Sequence, residues 1–253
     1  MRNLLMHSIL AAVAGLAILP AALAQNSSRP DFSGIWTRTG RKANENFGKG
    51  APPLQAWAKA IYDENRGGLG ADDDGLDEVD PTIYCMPHGI PRVLASNQPF
   101  EIIQTPQVIY ALFESQQMQR RIFLDGRKIP DLYPPTYMGW STGRFDGDAL
   151  VVDTVGLSDL TWLDTSGAPH SEALHVTERM RRTGPNAMEI AFRIEDPKTF
   201  TKPIEDTKTY QLQADWSIME NIGYCDDRFR YSFGKKAFKG TVDWQSPEQA
   251  AGK

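Results

Sequence analysis

"GWSTGRFDGDALVVDT", residues 139–154, is the stretch on which the fold turns. Its first five residues spell G-x-S-x-G, the signature of a nucleophilic serine on a strand-to-helix turn, and Asp164 and His170 follow in the order Ser, Asp, His. Such an elbow requires a helix directly after the serine, within a chain that alternates strands and helices. Here Arg144-Phe145 leads instead into Asp146-Gly147-Asp148, and Ala149–Val155 continues as a second strand. Asp164 and His170 also follow too closely, 23 and 29 residues on, to occupy separate loops of that fold. Ser141 therefore reads as a strand residue, followed by a turn into the next strand.

The same grammar extends in both directions. Phe32–Thr39 reads as a first strand, Phe100–Gln104 and Val108–Glu114 flank Thr105-Pro106, and Met118–Leu124 ends at Asp125-Gly126, a hairpin-type dipeptide. Tyr137–Phe145 precedes Ala149–Val155, and Glu172–Arg182 and Ala187–Glu195 flank Gly184-Pro185-Asn186. Lys208–Ala214 and Ile218–Ile222 close the series. Roughly eight to ten short strands joined by hairpins, with one clear helix, are the pattern of an antiparallel barrel or sandwich. The helix is "PPLQAWAKAIYDENR", residues 52–66, with Pro53 at N1, a stripe of Leu54, Trp57, Ala58 and Ile61, and Gly67-Gly68 as its stop. After it, "GADDDGLDEVDP" (residues 70–81) has no periodicity and reads as a solvated loop; Gly70 stands where a calcium loop needs its first Asp.

The first residues bear on compartment. Arg2 supplies a positive start, Ser8–Leu19 is an apolar run too short to span a bilayer, and Ala22-Leu23-Ala24 precedes Gln25 as an A-x-A cleavage site. This reads as a secretory signal peptide at 1–24, against the alternative of a retained anchor. The remaining 229 residues suffice for one all-β domain, 25–253. Losing Arg2 takes the net charge from −5 to −6, an acidity that argues against nucleic acid as a partner. No later apolar run is long enough for a stable membrane span. An exported chain with two cysteines, Cys85 and Cys225, most simply joins them, two buried thiols being the alternative. Closing a loop of ~140 residues would contribute over ~4 kcal/mol in the chain-entropy model.

Strand parity sorts the candidates for chemistry. Leu174, Val176, Glu178 and Met180 share one face, opposite Ala173, His175, Thr177, Arg179 and Arg181; Tyr110, Leu112 and Glu114 share another. Most of these charges are explained by an amphipathic sheet with its polar face in solvent. "TWLDTSGAPHSEALH", residues 161–175, is less easily explained, because it gathers Trp162, Asp164, His170 and His175 on a loop running into a strand. Three roles are open to those histidines. A metal site would use both with a carboxylate, but His-x4-His brings two ligands together on a helix, not on a strand. Acid/base chemistry would use one imidazole oriented by Asp164, Glu178 or Asp153. A structural role needs neither. His88, in "CMPHGIPR" (residues 85–92), sits in a stiff loop pinned by Cys85 and lacks the thiolates of a zinc site.

Two resemblances follow from motifs. "DFSGIW", residues 31–36, resembles the G-x-W opening of the first lipocalin strand, with Gly34 and Trp36 in the motif. The resemblance implies that Trp36 plugs one barrel end and packs against a later Arg. Over residues 81–225, the runs "CMPHGIPRVL", "GWSTGRFDGDALVVDTVG", "GAPHSEALHVTERMRR" and "DPKTFTKPI" are similar to a large group of exported bacterial proteins without an assigned chemistry. In that group the position of Trp140 often reads His, so a site that needs that histidine is incomplete here.

The expectation is a mainly β, antiparallel, lipocalin-like (calycin-type) barrel with one N-terminal helix. Its expected function is cofactor-independent acid/base isomerisation or elimination on an apolar or aromatic small molecule, without a metal. His175 or His170 would move the proton, Asp164 would orient it and Glu114 would be a second carboxylate. Trp140, Trp162, Tyr137 and Arg179 would contact substrate. The alternative is a non-catalytic carrier of a hydrophobic small molecule. Lumen polarity separates the two, since the enzyme needs a buried His–carboxylate pair and a carrier does not.

Overall fold

A computed structural model describes residues 29–40, 46–68 and 80–219. Residues 1–24, read above as a signal peptide, most of the acidic loop, Cys225 and the end of the Ile218–Ile222 segment fall outside these residues.

Nine strands close into one barrel in chain order. They are β1 (Gly34–Arg38), β2 (Phe100–Gln104), β3 (Val108–Phe113), β4 (Gln119–Phe123), β5 (Trp140–Asp146), β6 (Ala149–Val155), β7 (His175–Gly184), β8 (Ala187–Glu195) and β9 (Ile204–Leu212). Closure leaves no sheet edge unpaired. Every pairing is antiparallel except β4–β5, where Ile122 faces Ser141 in a parallel register. That exception corrects the hairpin expected at Asp125-Gly126: the dipeptide starts a long crossover, residues 124–139, that returns the chain to the other end of the barrel. β9 also starts earlier than expected, at Ile204, and residues 218–219 form no strand.

Tight turns at 104–108, 146–149 and 184–187 gather at one end, and the longer loops 39–55, 156–174 and 196–203 gather at the other, the wide end in the sense of its loops. Trp36 is fully buried beneath the Arg182 guanidinium, 5.0 Å from the ring centroid, as the lipocalin-like motif implied. Its indole N–H donates to the Phe32 carbonyl at 2.9 Å, and Arg182 donates to the Asp31 carbonyl at 3.0 Å. At the wide end sit α1 (Ala56–Gly68), a short α2 (Arg92–Ala95) and residues 156–174. The helix begins later than the sequence suggests because Leu54 pairs with Phe200 instead. Its buried face is also different: Ala58 and Tyr62 pack inward and Asn65 donates to the Gly167 carbonyl, whereas Trp57 and Ile61 are 47% and 40% exposed. Of the expected stripe, Ala58 is buried and Leu54 packs against the core, while Trp57 and Ile61 face outward, since docking against residues 162–168 fixes the helix rotation.

The lumen is lined by alternate residues of each strand, among them Phe100, Ile102, Phe113, Val152, Val176, Met180, Met188, Ile190 and Phe192, all buried. A fully buried side chain of this size contributes about 1.5–3 kcal/mol. Ser141 is one of the inward positions, on a strand that turns into another strand, so the hairpin geometry and not an elbow surrounds it.

Candidate functional site

Among the polar residues on the inward strand faces, four form a group of their own. Arg120 lies between Met118 and Ile122 in strand parity, Glu178 between Val176 and Met180, Thr154 follows Leu150 and Val152, and Ser141 precedes Gly143. They close one network. Arg120 Nη1 and Nη2 donate to the two Glu178 carboxylate oxygens at 2.9 and 2.8 Å, Nη2 also donates to Thr154 Oγ1 at 2.7 Å, and Nε donates to Ser141 Oγ at 3.0 Å. Ser141 and Thr154 hydroxyls share a further bond of 2.9 Å. Arg120 and Glu178 are 2% and 0% exposed, so two charges removed from water are compensated by a bidentate pair and two hydroxyls. The network has no histidine among its members and no spare carboxylate oxygen aimed elsewhere. Tyr210, fully buried nearby, donates to the Leu94 carbonyl at 2.9 Å and so ties α2 to the lumen; burial, then the Glu178 carboxylate, raises its pKa well above the usual phenol.

The wide end is closed by side chains from three segments. Asp164 is buried, but it does not orient a histidine. Its Oδ2 accepts the Phe47 N–H at 2.9 Å, and its Oδ1 accepts the N–H and hydroxyl of Ser166 at 2.8 and 2.5 Å. Phe47 inserts its ring edge-on against Phe192, with centroids 5.1 Å apart. Lys208 Nζ lies 5.1 Å from the same ring centroid, donates to the Asn46 carbonyl at 2.7 Å and pairs with Asp206 at 2.8 Å.

His170 is buried in the same loop, and its nitrogens face a hydroxyl and a carbonyl: Nε2 is 2.8 Å from Thr161 Oγ1 and Nδ1 is 3.2 Å from the Ser171 oxygen. Burial pushes its pKa below the usual imidazole value. His175 points outward. Its Nε2 contacts Asp153 Oδ1 at 3.2 Å, beside Thr177 and Arg144, which also bind that carboxylate at 2.9 and 3.1 Å. Of the carboxylates weighed for a histidine, the structure thus pairs Asp153 with His175, on the half-exposed outer wall, and leaves Asp164 and Glu178 to other partners. Glu114 sits just past β3, where it accepts the Met219 N–H at 3.1 Å.

The expected contact residues are spread over the molecule. Trp140 lies on the outer face of β5, under the crossover, with Phe123 and Tyr133 rings 4.6 and 5.3 Å away; its indole N–H is buried without an acceptor. Trp162 is buried at the wide end beside the Arg92 guanidinium, 5.9 Å from its ring. The Tyr137 hydroxyl donates to the Met86 sulfur at 3.9 Å. Arg179 is on the outer wall, bound to Asp146 at 2.7 Å, and lines a surface groove of about 730 Å³ with Thr177, Arg193 and Glu205. Only Asp164, Trp162 and His170 share one neighbourhood, with Tyr137 reaching it through Gly89 and Thr161.

His88 gains more weight from the structure than from its sequence. Its Nδ1 is 3.2 Å from the Ser115 hydroxyl, and the Gln116 side chain accepts the His88 N–H at 2.9 Å. Burial, then the neighbouring Arg92 cation, lowers its pKa to about 4. Arg92 in turn grips both Asp80 oxygens, at 2.9 and 2.5 Å. Cys85, two residues before Pro87, has a left-handed backbone and is not free. No cluster of three or more His, Cys, Asp or Glu side chains suited to a metal occurs among the described residues. Neither is any helix among them long and apolar enough to cross a membrane.

No family model matches the chain, and no curated protein matches it significantly. Among solved structures it is similar to the fluorescent protein UnaG. The wild-type structure is 12% identical, covers 72% of this chain and 97% of its own, and superposes with a TM-score of 0.32. A point mutant of UnaG is 12% identical, with coverages of 73% and 97% and a TM-score of 0.33.

Proposed function

We propose that this chain is an exported, non-catalytic carrier of a hydrophobic or aromatic small molecule. One observation supports the reading: the His–carboxylate contact lies on the water-exposed outer wall, whereas the polar residues on the inward strand faces that are described, Arg120–Glu178 with Ser141 and Thr154, Arg38 and the Lys208–Asp206 pair, include no histidine. Proton abstraction from an apolar substrate needs a base inside a water-excluded cavity, with its second nitrogen held by an acceptor. His175 and Asp153 have the contact without the cavity, and His170 has the burial without the carboxylate. Small-molecule sites in barrels are mostly apolar with a few fixed polar groups, and the wide end supplies Phe47, Phe192 and Trp162 together with Asp164. Export rests on the leader read at residues 1–24, and a Cys85–Cys225 bond fits that compartment.

The test is a titration of protein exported with its own leader. A neutral aromatic dye such as N-phenyl-1-naphthylamine should bind saturably, one per chain, and His175→Gln should leave the affinity unchanged. Absence of saturable binding for every apolar probe, or an isomerase activity that His175→Gln abolishes, would overturn the carrier reading.

A further inference from the structure

We infer that residues 80–95 form an acid-operated door at the wide end of the barrel, released when the His88 imidazole takes up a proton.

The segment carries the short helix α2, whose Val93, Leu94 and Ala95 are buried in the core together with Ile90. It thereby closes the wide end without belonging to the sheet. Among the described residues a single backbone–backbone hydrogen bond ties it to the rest of the protein, from the Ile90 N–H to the Tyr137 carbonyl at 3.0 Å. The remaining ties use side chains. Tyr210 donates to the Leu94 carbonyl, and Gln116 accepts the His88 N–H and donates to the Met86 carbonyl, at 2.9 and 2.8 Å. A unit held in this way opens at a lower free energy than the ladder-bonded strands around it.

His88 sits where the segment meets the β3–β4 turn, with Nδ1 3.2 Å from the Ser115 hydroxyl and no carboxylate among its contacts. The charges acting on it are Arg92 and Asp80 of its own segment, and Arg92 occupies both Asp80 oxygens. Charged groups on the surrounding elements have other partners. Glu114 accepts the Met219 N–H, Asp164 the Phe47 N–H and Asp196 the Ser171 N–H, while Arg38 donates to Asn97 at the far side of α2. A proton on His88 therefore adds a second cation beside Arg92 with no free carboxylate to meet it. Burial, then Arg92, holds the closed-state imidazole down to about 4, with Asp80 acting the other way, against 6.5 for an exposed ring. Between those values the open form binds one proton that the closed form does not, so opening gains about tenfold per pH unit as pH falls. On the other flank His170 meets Thr161, which packs against Gly89. Burial lowers that imidazole too, against Asp196 and Asp159, but His170 belongs to the neighbouring loop and serves as a control.

Hydrogen exchange read by mass spectrometry on the ligand-free full chain at pH 7, 5.5 and 4, corrected for intrinsic rates, tests the door directly. Peptides covering residues 86–95 should lose protection by about tenfold per pH unit below 6.5, while peptides from β7 and β8 keep theirs. His88→Gln should make protection of that segment independent of pH, and His170→Gln should behave as wild type. Constant protection of 86–95 in wild type, a loss shared equally with the strands, or an undiminished loss in His88→Gln would each overturn the inference. Should His88→Gln fail to fold, the wild-type comparison of segment against strands decides alone. No ligand enters the measurement, so its outcome is separate from that of the carrier reading.

Discussion

Replacing Glu178 by Gln keeps the side-chain shape and removes one charge from the centre of the lumen. Arg120 would then remain buried with two hydroxyl partners and no counter-charge, since Ser141 and Thr154 are its other contacts. In addition, the new amide NH₂ would point a donor at a guanidinium that has only donors. Breaking one half of a buried ion pair costs about 3–5 kcal/mol. For a domain of this size each kcal/mol moves the thermal midpoint by about 2–4 °C, so Glu178→Gln should lower it by about 6–20 °C. The double substitution Arg120→Met, Glu178→Leu removes both charges and keeps apolar volume, and such replacements are often neutral or stabilising by about 1–4 kcal/mol. Urea denaturation of wild type, Arg120→Met, Glu178→Leu and the double closes a double-mutant cycle, with Glu178→Gln measured beside it. A Glu178→Gln protein within about 1 kcal/mol of wild type would refute the reasoning, as would a double mutant no more stable than the single.

Other outcomes follow from the same geometry. Ser141→Ala removes the acceptor of the buried Arg120 Nε–H and should cost about 1–3 kcal/mol, while serine-directed phosphonates leave the wild type unlabelled. Gly139 has φ +61° and a hypothetical Cβ 2.6 Å from the Val155 carbonyl oxygen, so Gly139→Ala should destabilise by about 2–4 kcal/mol in chemical denaturation. The folded-state pKa of His88, about 4, lies below its ordinary value of 6.5. Its contribution to stability is therefore complete above pH 6.5 and is lost as pH falls toward 4, because the unfolded chain binds the proton first. His88→Gln should flatten stability against pH across that window, and an NMR titration of the ring should show the depressed midpoint.

Alternation and turn chemistry in the sequence sufficed for the strands from Phe100 to Glu195 and for the rejection of an elbow at Ser141, while Trp36 beneath an arginine followed from the resemblance of residues 31–36 to the first lipocalin strand. These depend on near neighbours: period-two patterning, Asp-Gly turns and one side chain on a facing strand. Of the lumen charges, Glu178 interrupts the apolar face of Leu174, Val176 and Met180 in the sequence, but nothing local says that it will meet Arg120, 58 residues away. Register and closure decide that. The parallel β4–β5 pairing, the rotation of α1 that turns Trp57 and Ile61 outward, and the use of Asp164 for a backbone amide of Phe47 are likewise settled by contacts between distant segments. Residue types such as His and Asp announce what chemistry a loop could perform. Which face of the closed barrel each side chain reaches determines whether that chemistry has a cavity, and only the tertiary structure supplies the face.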